Sequence, residues 1–192
     1  MKTELAVKAI GANGKRHNDD FYPTPPECTE ALLRFLNLPK GTVVWEPACG
    51  EMHICDVLAR HGYPVVCTDI RSHVDFLTAD MPEKVEWIIT NPPFSLSEQF
   101  IYRAAAHEIP FAYLLKSQYF HAAKRKPLFD TLRPTHILPL TWRPDFTGEG
   151  ASLMDMIWVV WAHKRAETTI YQPLERPKAI AEANGTPQTA LW

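Results

Sequence analysis

Short continuous apolar runs alternate along this chain with segments whose apolar positions recur at helical spacing. The first helical segment carries Ala31, Leu32, Leu33, Phe35 and Leu36. It opens at Pro25-Pro26-Glu27, where proline costs no hydrogen bond, and Thr24 stands where a side chain can cap it. Pro39 and Gly41 end it. Val43-Val44-Trp45 then reads as a short buried strand. Residues 52–61 read as a helix with Ile54, Val57 and Leu58 on one face and Gly62 as its stop. Val65-Val66-Cys67, Phe76-Leu77 and Trp87-Ile88-Ile89 follow as strands, then a helix over 96–108 and a strand over 111–115. Residues 120–132 read as helical in part, and 136–140 and 156–161 are the last two strands.

Apolar runs without polar alternation imply strands covered on both faces, and the intervening helices imply parallel crossovers. The expected fold is therefore α/β, a mostly parallel seven-stranded sheet. Residues 141–155 show no helical pattern, so the last strand is expected to return antiparallel. A single domain is expected over 1–165, preceded within it by a polar mobile arm at 1–20. A Pro-containing tail at 166–192 is expected to pack poorly, with Leu191-Trp192 as its one apolar anchor.

Composition narrows this little. The chain has 192 residues, 46% hydrophobic and 22% charged, with a net charge of −2; one full core fits that length. No apolar window is long enough to span a bilayer, and no secretory leader opens the chain, so a cytoplasmic protein without membrane contact is expected. Cys28, Cys49, Cys55 and Cys67 form no C-x-x-C pair and no zinc spacing. They are expected to be free thiols, and no metal site is expected. The charge distribution says more than the total. Residues 40–99 hold nine acids against four bases, whereas residues 100–145 hold seven bases against three acids. The basic half could face a phosphate backbone or could simply be solvated.

Ligands of parallel α/β sheets bind at the carboxyl ends of the strands. There this sequence places Glu46-Pro47-Ala48-Cys49-Gly50, then Asp69, Asp80, Asn91-Pro92-Pro93-Phe94 and Lys116-Ser117-Gln118-Tyr119. The Glu46–Gly50 turn matches neither G-x-G-x-x-G nor a P-loop, so a phosphate-bearing cofactor is disfavoured. An acid in that place suits a ligand with hydroxyl donors and a cationic end. Asp69 lies 23 residues after Glu46, a distance from which an acid can accept bonds from ribose hydroxyls.

Together with Asp20-Phe21-Tyr22-Pro23-Thr24-Pro25 upstream, these segments resemble, in order and spacing, the class I S-adenosylmethionine-dependent DNA adenine-N6 methyltransferases. The resemblance covers roughly residues 18–120. It implies a Rossmann-like fold, S-adenosylmethionine as cofactor, and double-stranded DNA with an everted base as partner. By the resemblance, Tyr22, Pro23 and Thr24 border the methionine end of the cofactor, and Glu46, Pro47, Ala48 and Gly50 form its floor. Asp69 holds the ribose and Asp80 the adenine amino group. One departure is visible: many relatives have glycine shortly after the Gly50 position, where this chain has Glu51-Met52.

The chemistry expected of Asn91, Pro92, Pro93 and Phe94 follows from their groups. An adenine amino nitrogen is a weak nucleophile because its lone pair is delocalised. Two acceptors on its N–H bonds, the Asn91 side-chain oxygen and the Pro92 carbonyl, draw it toward a tetrahedral shape and stabilise the developing positive charge. Pro93 biases Pro92 to an extended conformation, which aims that carbonyl in advance. Phe94 offers a ring face to a base. Recognition is assigned to two loops, one with Tyr119, His121, Lys124, Arg125 and Lys126, the other with Trp142, Arg143, Phe146, Gly148 and Gly150. Only 40 residues separate Gly50 from Asn91, which leaves no room for an inserted recognition domain and implies short or relaxed specificity. No obligate protein partner is expected. RNA adenine and protein-glutamine methyltransferases share this site chemistry, and a catalytically silent cofactor-binding module is the alternative of another class.

Overall fold

The computed structural model describes residues 22–148, 154–162 and 166–178. The arm at 1–20, Phe21, Gly150 and Leu191-Trp192 lie outside the described residues.

Strands β1 (Val44–Glu46), β2 (Val65–Cys67), β3 (Trp87–Thr90), β4 (Phe111–Lys116), β5 (His136–Pro139), β6 (Met156–Trp161) and β7 (Ile170–Tyr171) form one sheet in the order β2-β1-β3-β4-β6-β5-β7. β6 alone runs against its neighbours, pairing antiparallel with both β4 and β5. The expected sheet, mostly parallel with an antiparallel return, is what forms. Its seven strands are not the seven expected, however. Phe76-Leu77 forms a turn instead of a strand. Phe76 is buried among aromatic rings that meet it edge-on or tilted, so its hydrophobicity serves packing without a backbone ladder. The seventh strand comes from the segment expected to pack poorly. Ile170 and Tyr171 pair in parallel with His136 and Ile137, and Leu174 is buried behind them.

Helices cover both faces. α1 (Pro26–Leu36) and α2 (His53–Arg60) pack on one, α3 (Ser97–Ala106) and α4 (Lys126–Thr131) on the other. Strand periodicity divides the core between them. Val44, Ile89, Ala112, Leu114, Met156, Trp158 and Val160 face α1 and α2. Their neighbours Trp45, Ile88, Tyr113, Leu115, Ile157, Val159 and Trp161 face α3 and α4. The buried indoles and phenol each find an acceptor: Trp158 Nε1 donates to the Cys28 carbonyl at 2.8 Å, Trp161 Nε1 to the Leu132 carbonyl at 2.9 Å, and Tyr113 Oη to the Phe100 carbonyl at 3.0 Å.

Two further expectations are corrected. Thr24 does not cap α1; Pro25 occupies the cap position and makes no side-chain bond. Cys55 on α2 and Cys67 on β2 are joined by a disulfide, with Cys28 and Cys49 left free. Sequence spacing could not show this pair, because the crossover brings α2 against β2 only after folding. Among the described residues no helix is long and apolar enough to cross a membrane, and no group of three metal-ligating side chains converges.

Candidate active site

The chain order reverses between β1 and β3, the place where a parallel sheet opens a crevice at its carboxyl edge. A cavity of about 460 Å³ lies there. Tyr22, Pro23, Thr24, Glu46, Pro47, Ala48, Gly50, Asp69, Asn91, Pro92 and Pro93 all line it, so segments far apart in sequence meet around one space.

Asn91 stands directly after β3. Its Nδ2 donates to the Tyr22 carbonyl at 3.2 Å and to Thr24 Oγ1 at 3.0 Å. A carbonyl can only accept, so this contact fixes which end of the amide carries nitrogen. The Asn91 Oδ1 is buried and has no hydrogen-bond partner. An acceptor left unsatisfied in a buried site costs about 1–3 kcal/mol, a cost that an incoming N–H donor removes. Thr24 thus contributes to holding this amide in place of capping a helix. The turn is braced from below: Ser97 Oγ donates to the carbonyls of Pro93 and Phe94, and Leu96 N to Pro93.

Glu46 ends β1 and is 1% exposed. Its Oε1 accepts from Ala48 N at 3.0 Å and from Thr90 Oγ1 at 2.5 Å, while Oε2 has no partner. Burial outweighs these bonds and pushes its pKa up to about 8. Such a carboxyl is costly as a lone anion and gains most from a cationic ligand.

The three expected acids take three different positions. Asp69 lines the cavity, yet its oxygens already accept from the Gly50 and Arg71 backbones and the Arg71 guanidinium. It fixes Gly50 in the left-handed conformation, φ 52°, and so shapes the floor. Met52, also left-handed at φ 70°, takes the strain where a glycine would have none. Asp80 is exposed and outside the cavity. Asp75 and Phe76 line the wall in its stead, a correction that follows from the missing strand: the turn at 76–78 carries Asp80 away. Sequence reasoning missed Asp75 because the acid precedes the apolar pair it was sought behind. Arg103 on α3 holds this segment through the carbonyls of Phe76 and Ala79. His107 packs against Trp45 and Phe76, and burial, aided by the Arg103 charge, lowers its pKa to about 4, so it stays neutral.

The loop assigned to recognition at 141–148 reaches this edge. Phe146 meets Tyr22 edge-on, ring centroids 6.0 Å apart, and Tyr22 lies 5.3 Å from Phe94. Trp142 is half-buried against the same cluster, and Arg143 pairs with Asp155 at 2.8 Å. The loop after β4 does otherwise. Tyr119 is 6% exposed and packs with Phe120 and Phe129 on the α3 and α4 face. Arg125 stacks on the Tyr119 ring at 3.9 Å and bonds its carbonyl. Lys126 pairs with Asp130, and Lys124 is exposed. Tyr119 and Arg125 therefore serve the core here, for a reason invisible in sequence: the aromatic residues of this loop fold under α4.

No family model matches this chain, and no curated protein matches it. Solved structures do. Over 90% of this chain and 72% of the other, it superimposes at a TM-score of 0.57, with 11% identity, on a Listeria monocytogenes protein ascribed to the class I S-adenosylmethionine-dependent methyltransferases. A modification subunit ascribed to a type I restriction enzyme from Vibrio vulnificus gives 0.56 at 14% identity, over 90% of this chain and 49% of that one. The chain spans about half of that subunit. A Pyrococcus horikoshii protein ascribed to RNA methylation gives 0.50 at 15% identity, over 83% and 96%. Identities this low speak to architecture, and the architecture is the Rossmann-like fold of the class I methyltransferases.

Proposed function

We propose that this chain transfers a methyl group from S-adenosylmethionine to the N6 amino group of adenine in DNA, with short or relaxed sequence specificity. The observation that carries the reading is the Asn91 amide, pinned through its nitrogen by Tyr22 and Thr24 and left with a buried oxygen that lacks a donor. The chemistry of the lining supports the cofactor. Glu46 suits the cationic amino end, and the Ala48–Gly50 backbone its approach to the floor. Asp69 and Asp75 suit hydroxyl and amino donors, and Phe76 a planar ring. When bound, the cofactor supplies an electrophilic methyl group on a sulfonium.

The chain's own residues do the rest. Asn91 Oδ1 accepts one N–H of the acceptor amine and the Pro92 carbonyl the other. Both acceptors are aimed before the substrate arrives, so the gain is electrostatic and positional. Pro93 and the Ser97 bonds keep the turn from relaxing. The Phe94 ring supports the base, which must first leave a duplex stack. The amine sheds its proton to solvent, and no covalent link to the protein is formed.

Nucleoside mass spectrometry of unmethylated DNA incubated with protein and S-adenosylmethionine tests this, with RNA in parallel. N6-methyladenosine in the DNA digest is the expected result. Methylation of RNA alone would overturn the DNA assignment, and silence on both would turn attention to protein glutamine.

A further inference from the structure

The Phe94 ring face is occupied by a cation of the chain itself. Lys116 is the last residue of β4, one strand beyond β3 and its Asn91 turn. Its Nζ lies 4.2 Å from the Phe94 centroid and 5.6 Å from that of Tyr22. Among the described residues no carboxylate pairs with it. Arg143, Lys126 and Arg176 each pair with an acid nearby, whereas the Lys116 ammonium rests on two rings. Such a contact is strong enough to place the ammonium and too weak to lock it.

A planar acceptor stacked on Phe94 competes for the same ring face. The lysine stem is flexible and its ammonium is a point charge that takes any anionic oxygen. A nucleotide brings such an oxygen one linkage from its base; a neutral glutamine side chain brings none. We propose that Lys116 makes this site select a phosphate-bearing acceptor: its ammonium rests on Phe94 and Tyr22 and passes to a phosphate flanking the acceptor base as that base stacks. This rests on Phe94 being the acceptor platform of the proposed function.

The test is fluorescence anisotropy of a labelled, adenine-containing single-stranded oligodeoxynucleotide, titrated with the full chain and S-adenosylhomocysteine over a series of salt concentrations. Wild type, Lys116→Met and Lys116→Arg are compared. Methionine keeps the apolar stem and removes the charge. The expected result is a weaker affinity for Lys116→Met and a salt slope smaller by about 0.7, one phosphate contact on a single strand. Arginine restores the slope, and S-adenosylhomocysteine affinity and melting temperature stay unchanged in both variants. Replacing the phosphates beside the adenine with neutral methylphosphonates should abolish the difference between wild type and Lys116→Met. An unchanged slope with weaker binding would overturn the proposal and make Lys116 a packing residue. Wild-type protein that binds S-adenosylhomocysteine but no oligonucleotide would overturn the nucleic-acid reading along with it, so the two failures are distinguishable.

Discussion

The two halves of the sheet are built to opposite standards. β4 and β6 pair over six residues each, from Phe111 with Trp161 to Lys116 with Met156, and every polar atom of their buried indoles and phenol is satisfied. β1, β2 and β3 pair over two or three residues. At their ends the chain buries a carboxyl oxygen of Glu46 and an amide oxygen of Asn91 without partners. The long antiparallel pair supplies stability that the short parallel strands give up by ending early and opening a cavity. The two unsatisfied oxygens at the ends of β1 and β3, set against the bonded rings of β4 and β6, separate the cavity edge from the scaffold.

The comparison predicts that substitutions in the two halves fail differently. Trp158→Ala, in the scaffold, should cost about 3–5 kcal/mol of stability through cavity formation and a lost bond to Cys28; chemical denaturation measures it. Asn91→Ala should lower transfer about 10²–10³-fold, the scale of removing one preorganised electrostatic partner, with S-adenosylhomocysteine affinity largely kept in calorimetry. Destabilisation of Asn91→Ala as large as that of Trp158→Ala would erase the distinction between the halves.

Glu46→Gln sharpens it through pH. The Glu46 pKa is raised from an unperturbed 4.5 to about 8, so folding takes up a proton between these values. Cofactor-free stability should therefore fall as pH rises from about 4.5 to about 8 and level off above. The glutamine variant should lose this slope in melts across pH and weaken cofactor binding by about 1.5–3 kcal/mol, the range for hydrogen bonds to a charged group. A slope retained in Glu46→Gln would assign it to another group. Asp75→Asn has the smallest expected effect, a cofactor dissociation constant raised about tenfold, which corresponds to about 1.4 kcal/mol. Asp80→Asn should leave it unchanged. The reverse order would restore Asp80 to the site.

Much was legible before folding. Continuous apolar runs and period-3.6 patterns showed the helices and the strand set apart from one exchange, because burial on both faces leaves its mark in the chain, and the lack of a helical pattern over 141–155 showed the antiparallel return of β6. That the polar segments after β1, β2 and β3 meet around one cavity was legible for a topological reason: parallel strands deliver their carboxyl ends to one edge. Only the tertiary structure decided how each polar group is spent. Thr24 had the local chemistry of a helix cap but bonds Asn91, 67 residues away. Asp69 had the spacing of a ribose acid, yet it also fixes Gly50. Asp75 lines the cavity and Asp80 does not, because a turn stands where a strand was expected, and Tyr119 packs under α4 instead of lining the cavity. Hydrophobic pattern is local and repetitive, so it survives in one dimension. A hydrogen bond depends on which distant group arrives within about 3 Å, and that is settled only when the chain closes on itself.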